Sequence, residues 1–135
     1  MSGFQAVVYG GLRFQVPDDW PVYDLAKDPT RCVRFDQHAV YLGHAGARQD
    51  CPAQIVGRTE SLQVEPIDAV SQATASTATV PGNLNGLGVH RNASSAISGN
   101  LVTAFDEAGV VATVTFRQSD SLAQKILGTF ERASG

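Results

Sequence analysis

Three histidines, two cysteines and thirteen carboxylates are the residues of this chain that could do chemistry. Asp36, His38 and His44 fall at even spacing, so on one strand they would point to a common side. Imidazole and carboxylate together form a zinc donor set. A straight strand, however, would carry His38 and His44 roughly 20 Å apart, too far to share an ion. No metal is expected, and ordinary surface or edge histidines are the simpler reading. The same histidines, His38 or His44 with a carboxylate, could serve a small secreted hydrolase if they converge in a pocket with perturbed titration.

Other constellations are weaker. No Gly-x-Ser-x-Gly elbow surrounds any serine, and His90 lies in the polar run Val89-His90-Arg91-Asn92, so no nucleophile with an oriented base is legible. Asp18-Asp19 and Asp106-Glu107 are adjacent in sequence and splay apart, which suits turns better than acid/base pairs. The glycine-rich stretch Gly82 to Gly88 lacks the Lys-Ser/Thr ending of a phosphate loop, and Asn92-Ala93-Ser94 matches a short glycosylation pattern that often arises by chance. No catalytic residue and no cofactor is expected.

Cys32 and Cys51, the only two cysteines, can be a bridge, a pair of buried thiols or part of a metal site. Their flanks, Asp28-Pro29-Thr30-Arg31 before Cys32 and Gln49-Asp50 before Cys51 with Pro52 after it, are irregular and polar. A staple does most good there, and a disulfide is the expectation.

These residues must be positioned by strands. Phe4-Gln5-Ala6-Val7-Val8-Tyr9, Gly10-Gly11 and Leu12-Arg13-Phe14-Gln15-Val16 read as a hairpin with Leu12, Phe14 and Val16 on one face. Pro17-Asp18-Asp19-Trp20-Pro21 breaks the pattern and places the only tryptophan in a corner. Val33 and Phe35 alternate with Arg34 and Asp36, and His38-Ala39-Val40-Tyr41-Leu42 is rich in strand formers, which predicts a hairpin about Asp36-Gln37. Another strand runs from Ile55 to its stop at Pro66.

From about 68 to 88 the chain turns to Ala, Ser and Thr, which predicts a mobile surface segment. Asn83-Leu84-Asn85-Gly86 is a turn signal before a strand through Val89. Leu101 to Phe105 and Val110 to Phe116 form a further hairpin across Asp106 to Gly109. Ser119 or Asp120 can cap a closing helix whose Leu122, Ile126, Leu127 and Phe130 form one apolar stripe. The expectation is a single α+β domain over residues 4–135, an antiparallel sheet of hairpins with a C-terminal helix packed on it.

Composition narrows the function. With 43% hydrophobic and 17% charged residues the chain is ordinary for a globular domain. A net charge of −3 supplies no footprint for a phosphate backbone, so nucleic acid is not an expected partner. No apolar run is long enough to span a bilayer. The start Met1-Ser2-Gly3-Phe4 has no basic region followed by an apolar one, so an exported protein would have lost its signal peptide.

Val16-Pro17-Asp18-Asp19-Trp20-Pro21-Val22, Asp28-Pro29-Thr30-Arg31-Cys32-Val33-Arg34-Phe35-Asp36, His38-Ala39-Val40-Tyr41-Leu42-Gly43 and Gln49-Asp50-Cys51-Pro52-Ala53 together resemble an N-terminal-type domain of exported actinobacterial proteins. In that group it often precedes a glycoside-hydrolase-like domain. The opening hairpin ending in Val16-Pro17 and Trp20, with the closing Ala123-Gln124-Lys125-Ile126-Leu127-Gly128-Thr129-Phe130, is also similar to the PsbP-like fold of photosystem extrinsic subunits and LpqN-type lipoproteins. The resemblances imply a sheet with helices packed on it, an extracellular or cell-envelope location and a binding or assembly role. They supply no catalytic residues. The expected function is a non-catalytic module that recognises a protein or a cell-wall polymer, with Trp20, Tyr23, Tyr41, His38 and His44 as the candidate binding surface.

Overall fold

Two glycines open the chain's first turn, and their positive φ values, +59° at Gly10 and +81° at Gly11, are what a two-residue hairpin turn requires. In the computed structural model, which describes residues 2–93 and 99–133, they join β1 (Phe4–Tyr9) to β2 (Leu12–Pro17) in antiparallel register, with Tyr9 opposite Leu12. Leu12, Phe14 and Val16 face inward. The short β10 (Glu131–Arg132) pairs with the free side of β2 and completes a three-stranded sheet.

A seven-stranded sheet faces it. Its strands are β3 (Val22–Asp24), β4 (Val40–Leu42), β5 (Ser61–Pro66), β6 (Ala78–Leu84), β7 (Leu87–Asn92), β8 (Asn100–Phe105) and β9 (Val110–Thr115), in the order β3-β4-β5-β9-β8-β7-β6. The hairpin β8–β9 follows the sequence signals, and the turn between β6 and β7 falls at the Asn-Gly signal. Asn85 and Gly86 take φ of 52° and 84° at that turn, the left-handed pair that Asn-Gly favours.

The first half departs from the expectation of hairpins throughout. β3 pairs with β4, and β4 with β5, in parallel. The hairpin expected about Asp36-Gln37 does not form. Parallel neighbours need crossover connections of about a dozen residues or more, and segments 25–39 and 43–60 are those crossovers. Neither contains a helix, so they are held by one another. Arg31 and Asp50 form an isolated parallel bridge, the Asp50 amide donates to the Thr30 carbonyl at 2.7 Å, and the Val33 amide donates to Gln49 Oε1 at 2.8 Å. Gly46 packs so close to Pro29 that a Cβ would lie 2.0 Å from its carbonyl oxygen. Between these contacts Cys32 and Cys51 are joined by a disulfide, with Cα atoms 4.9 Å apart. The expected staple therefore exists, and it clamps the two crossovers together.

The segment read as mobile is built into the fold. The single helical turn α1 (Gln72–Ala75) and the edge strand β6 occupy it. Small residues suit both: Ala75 and Ala78 pack with Ile67 against Val102, Ala104 and Val111 on the outer face of the large sheet. Composition alone missed this because little area per residue suffices where a neighbouring strand already supplies the backbone partners.

The closing helix α2 (Ser121–Leu127) buries Ala123, Ile126 and Leu127, while Leu122 is only partly buried and Phe130 lies beyond the helix end. Asp120 is the N-cap residue without a side-chain cap bond, and the Ser119 hydroxyl instead accepts from the Ser121 amide at 3.2 Å. The main core joins β2, α2 and Phe130 to the inner faces of β4, β5, β7, β8 and β9. The architecture is α+β. Among the described residues, no helix is long and apolar enough to cross a membrane. Ser94 of the glycosylation pattern lies outside the described residues.

Candidate functional site

The expected surface residues separate into three places. His38 precedes β4 and stacks on Trp20 with ring centroids 5.3 Å apart and planes 3° from parallel. Its Nδ1 donates to the Glu60 carbonyl at 2.8 Å. Trp20 is 4% exposed, so it is the floor under His38 and not a platform for a ligand. Tyr23 and Tyr41 face each other across β3 and β4 at 5.6 Å. Tyr41 is 1% exposed and donates to the Arg34 carbonyl at 3.0 Å. Tyr23 is half-buried, and the Arg31 guanidinium lies 4.2 Å over its ring. The three aromatic rings of the expected surface are thus covered, by the sheet at Trp20 and Tyr41 and by a cation at Tyr23.

His44 sits beyond the other end of β4, away from His38, and meets partners that its sequence neighbours do not reveal. β5 brings Glu65, whose Oε1 accepts from Nδ1 at 2.7 Å, and the turn after β5 brings Asp68, whose Oδ2 accepts from Nε2 at 2.8 Å. Asp68 is itself oriented, because its Oδ1 accepts the Val70 amide at 2.9 Å. The hydrogen bond to Asp68, opposed by burial and helped by Glu65, raises the His44 pKa above its ordinary value. The same bond lowers the pKa of Asp68. Nearby Tyr9 is pushed up by burial and by the charges of Asp24, Glu65 and Asp68. When protonated, His44 donates from both nitrogens and ties the end of β4 to β5 and to the turn that follows it.

This arrangement sets a pH dependence. A histidine whose folded pKa is raised contributes stability in full below its unfolded pKa of about 6.5, and loses it as pH rises through the higher folded value. Asp68 works in the opposite sense and loses its contribution as pH falls through its depressed value. The stability difference between the native chain and His44→Gln should therefore be greatest from the carboxylate range up to about pH 6.5 and shrink at higher pH. Urea midpoints measured across pH check this, with the His44 titration followed by NMR. A His44 pKa at or below the ordinary value would contradict the geometry.

His38 lies on the wall of a cleft of about 840 Å³, which also takes in Asp36, Val56, Arg58, Thr59 and Arg117. Three irregular segments and the end of β9 build it. Asp36 is engaged by Arg34 in a paired contact of 2.7 and 2.7 Å, which lowers its pKa. Arg58 and Arg117 place two cations at the cleft, and Val56 beside them is 81% exposed. Arg58 passes over Gly99, where a Cβ would lie 2.5 Å from its guanidinium. Among the described residues, no serine or cysteine lines the cleft, and His38 Nδ1 is already taken up by the Glu60 carbonyl. Among those residues, no group of three or more His, Cys, Asp or Glu is arranged to hold a metal ion.

Arg58, Arg117, Glu65 and Asp68 were not singled out by sequence reasoning. Each is a common surface type, and only the pairing of β4, β5 and β9 brings them to the histidines. His90, whose Nδ1 bonds Asp106 Oδ1 at 2.8 Å, is tied to the β8–β9 turn. In comparisons with known proteins, the chain matches no family model, no curated protein and no solved structure.

Proposed function

We propose that this chain is a non-catalytic extracellular or cell-envelope module that recognises a protein or a cell-wall polymer through the cleft beside His38. The observation that carries the reading is the cleft's make-up: Arg58 and Arg117 with exposed Val56, and a histidine seated on Trp20. Two cations in a protein of net charge −3 favour an acidic segment or an anionic polymer, because complementary charge steers and orients a partner. The disulfide agrees with an oxidising compartment, and the resemblance to exported actinobacterial domains points the same way. The hydrolase alternative loses His44, whose nitrogens are both committed.

The test has two arms: cosedimentation of the oxidised chain with purified cell-wall polymer, and its pull-down of proteins from an envelope fraction. The expected result is saturable binding in one arm that Arg117→Glu weakens about tenfold. Binding in neither arm, or binding indifferent to Arg117→Glu and Val56→Asp alike, overturns the reading. Turnover of a wall-derived substrate abolished by His38→Ala would replace it with the hydrolase.

A further inference from the structure

β1 is an outer strand of the small sheet, and its second edge is bare. The Asp18 amide donates to the Gly3 carbonyl at 2.9 Å, which fixes the phase of the β1–β2 ladder. Gly3, Gln5, Val7 and Tyr9 direct their backbone groups to β2, while Phe4, Ala6 and Val8 direct theirs to the free side. Among the described residues, the N–H and C=O of those three have no partner. Ala6 and Val8 are exposed, so the edge is open to solvent. The side chains of Phe4, Ala6 and Val8 alternate with core-facing Val7 and Tyr9 and therefore lie on the outer face of the sheet. Edges of this kind pair with other chains unless a charge, a proline, a bulge or shortness prevents it. The other three edges carry such devices: β6 has Pro81 and an irregular register between Ala78 and Val80, β3 has three residues and ends in Asp24, and β10 has two, both charged. β1 carries none. Phe4–Tyr9 is six residues without a charge, a proline or a glycine, a composition that favours strand pairing.

We propose that this edge binds a second copy of the chain, β1 against β1, about a two-fold axis at Ala6. The register follows from the free groups. Facing residues of an antiparallel pair can exchange both hydrogen bonds, so Ala6 opposite Ala6 of the copy, with Phe4 opposite Val8 of the copy, uses every free N–H and C=O of both strands. A shift of two residues in either direction would leave one residue of each strand unpaired. On the outer face the same register sets each Phe4 ring beside a Val8 of the other copy, an aromatic and β-branched pairing of the kind that stabilises sheets. The strand has no charge with which to repel its copy. A second copy is thus the occupant that the residues point to, because free groups and side chains complement themselves in this one register. The two three-stranded sheets become one continuous sheet. A single strand pair covers less than the roughly 1,200 Å² of a standard interface, so the dimer depends on concentration, forming toward millimolar chain and dissociated at about 10 µM. The edge shares no residue with the His38 cleft, and its fate is independent of the module's proposed partner.

NMR diffusion and amide–solvent exchange on the full chain, followed from about 10 µM to about 1 mM, test this. The expected result is a monomer–dimer equilibrium. As concentration rises, exchange should slow at Phe4, Ala6 and Val8 and stay unchanged at Gln5 and Val7, whose amides already donate to β2. Ala6→Lys and Ala6→Glu each place like charges directly opposite one another across the axis, with Cβ atoms about 5 Å apart, and each should weaken self-association at least tenfold. An equimolar mixture of the two should restore it, because the facing charges then attract. Ala6 is exposed in the single chain, so both variants should melt close to the native protein. If one of them does not fold, the other decides together with Ala6→Pro, which removes a donor that the β1–β2 ladder does not use. Val80→Lys on the β6 edge is the control and should leave association unchanged. A monomer at every concentration overturns the proposal and leaves the edge to a strand of another protein. Association that is unchanged in the Ala6 variants, that mixing fails to rescue, or that Val80→Lys abolishes overturns it as well.

Discussion

Replacing Phe130 by alanine should destabilise the chain by about 3–5 kcal/mol, the range for deleting a buried aromatic side chain. Phe130 is fully buried and stacks on Phe14 of β2 at 4.4 Å and on Phe105 of β8 at 5.2 Å. It is therefore the ring through which the small sheet and the large sheet meet. Aromatic pairs contribute about 0.5–1.5 kcal/mol beyond their buried area, and this residue takes part in two of them. The cavity left behind would lie between β2 and β8, each fixed in its own sheet, so relaxation to fill it is limited. Asn85 adds a second constraint by donating to the Gly128 and Phe130 carbonyls at 2.9 and 2.7 Å. Urea unfolding of Phe130→Ala beside the surface control Val8→Ala measures the effect. Val8 is 61% exposed, so the control should stay within about 0.5 kcal/mol of the native chain. A Phe130→Ala loss under about 1.5 kcal/mol would mean that the sheets are joined elsewhere.

The parts of this fold that local chemistry decides were legible in the residues. Gly10-Gly11 and Asn85-Gly86 demand left-handed backbone, and each turns the chain where a turn was expected. The alternation of Leu12, Phe14 and Val16 put the right face of β2 inward. The C-terminal helix was legible from its periodicity, although Ala123 is buried with Ile126 and Leu127 while Leu122 packs at the edge of the core, partly buried. What was illegible depends on non-local pairing. β4 is too short to announce its direction, and nothing between Leu25 and Ala39 shows that the chain returns to lie parallel to β3. The Ala/Ser/Thr-rich segment looked unable to fold because its own apolar area is small, yet β7 supplies the ladder and β8 and β9 the packing surface.

The candidate sites divide in the same way. His38 and His44 were visible as chemistry-bearing residues, but their roles came from Trp20, Glu65 and Asp68, which adjoin them only after folding. Arg91 and Thr103, whose side chains leave a buried polar atom unpartnered, carried no signal at all. An arginine in a polar run and a threonine in a strand are common, and only the cross-strand register on the inner face makes them exceptional. The proposed site lies where regular structure gives out, in the cleft among the crossovers. That is the expected division between a rigid scaffold and the segments it holds out for recognition.

The disulfide decides whether those crossovers hold their shape. Closing a loop between residues 19 apart removes unfolded-state freedom worth about 3 kcal/mol on the chain-entropy account, against a total of about 5–15 kcal/mol for a domain of this kind. The double variant Cys32→Ser/Cys51→Ser should lose that amount in urea unfolding, and a reducing agent should bring the native chain to the same midpoint. The loss should be uneven. Segments 25–39 and 43–60 have each other, the bridge at Arg31 and Asp50 and a few hydrogen bonds, so once the bond is gone they can open while the core around Phe130 stays packed. Amide exchange in the double variant should therefore quicken first at Thr59, whose amide donates to the Phe35 carbonyl at 2.7 Å, and at Asp50. In β8 and β9 it should quicken only as far as the lower global stability dictates. Because segments 36–38 and 56–59 also wall the His38 cleft, partner binding should weaken on reduction under conditions where the domain remains folded. Uniform exchange across both sheets, or a stability loss under about 0.5 kcal/mol, would mean that the packing of Gly46 on Pro29 and the hydrogen bonds beside it already hold the crossovers without the covalent link.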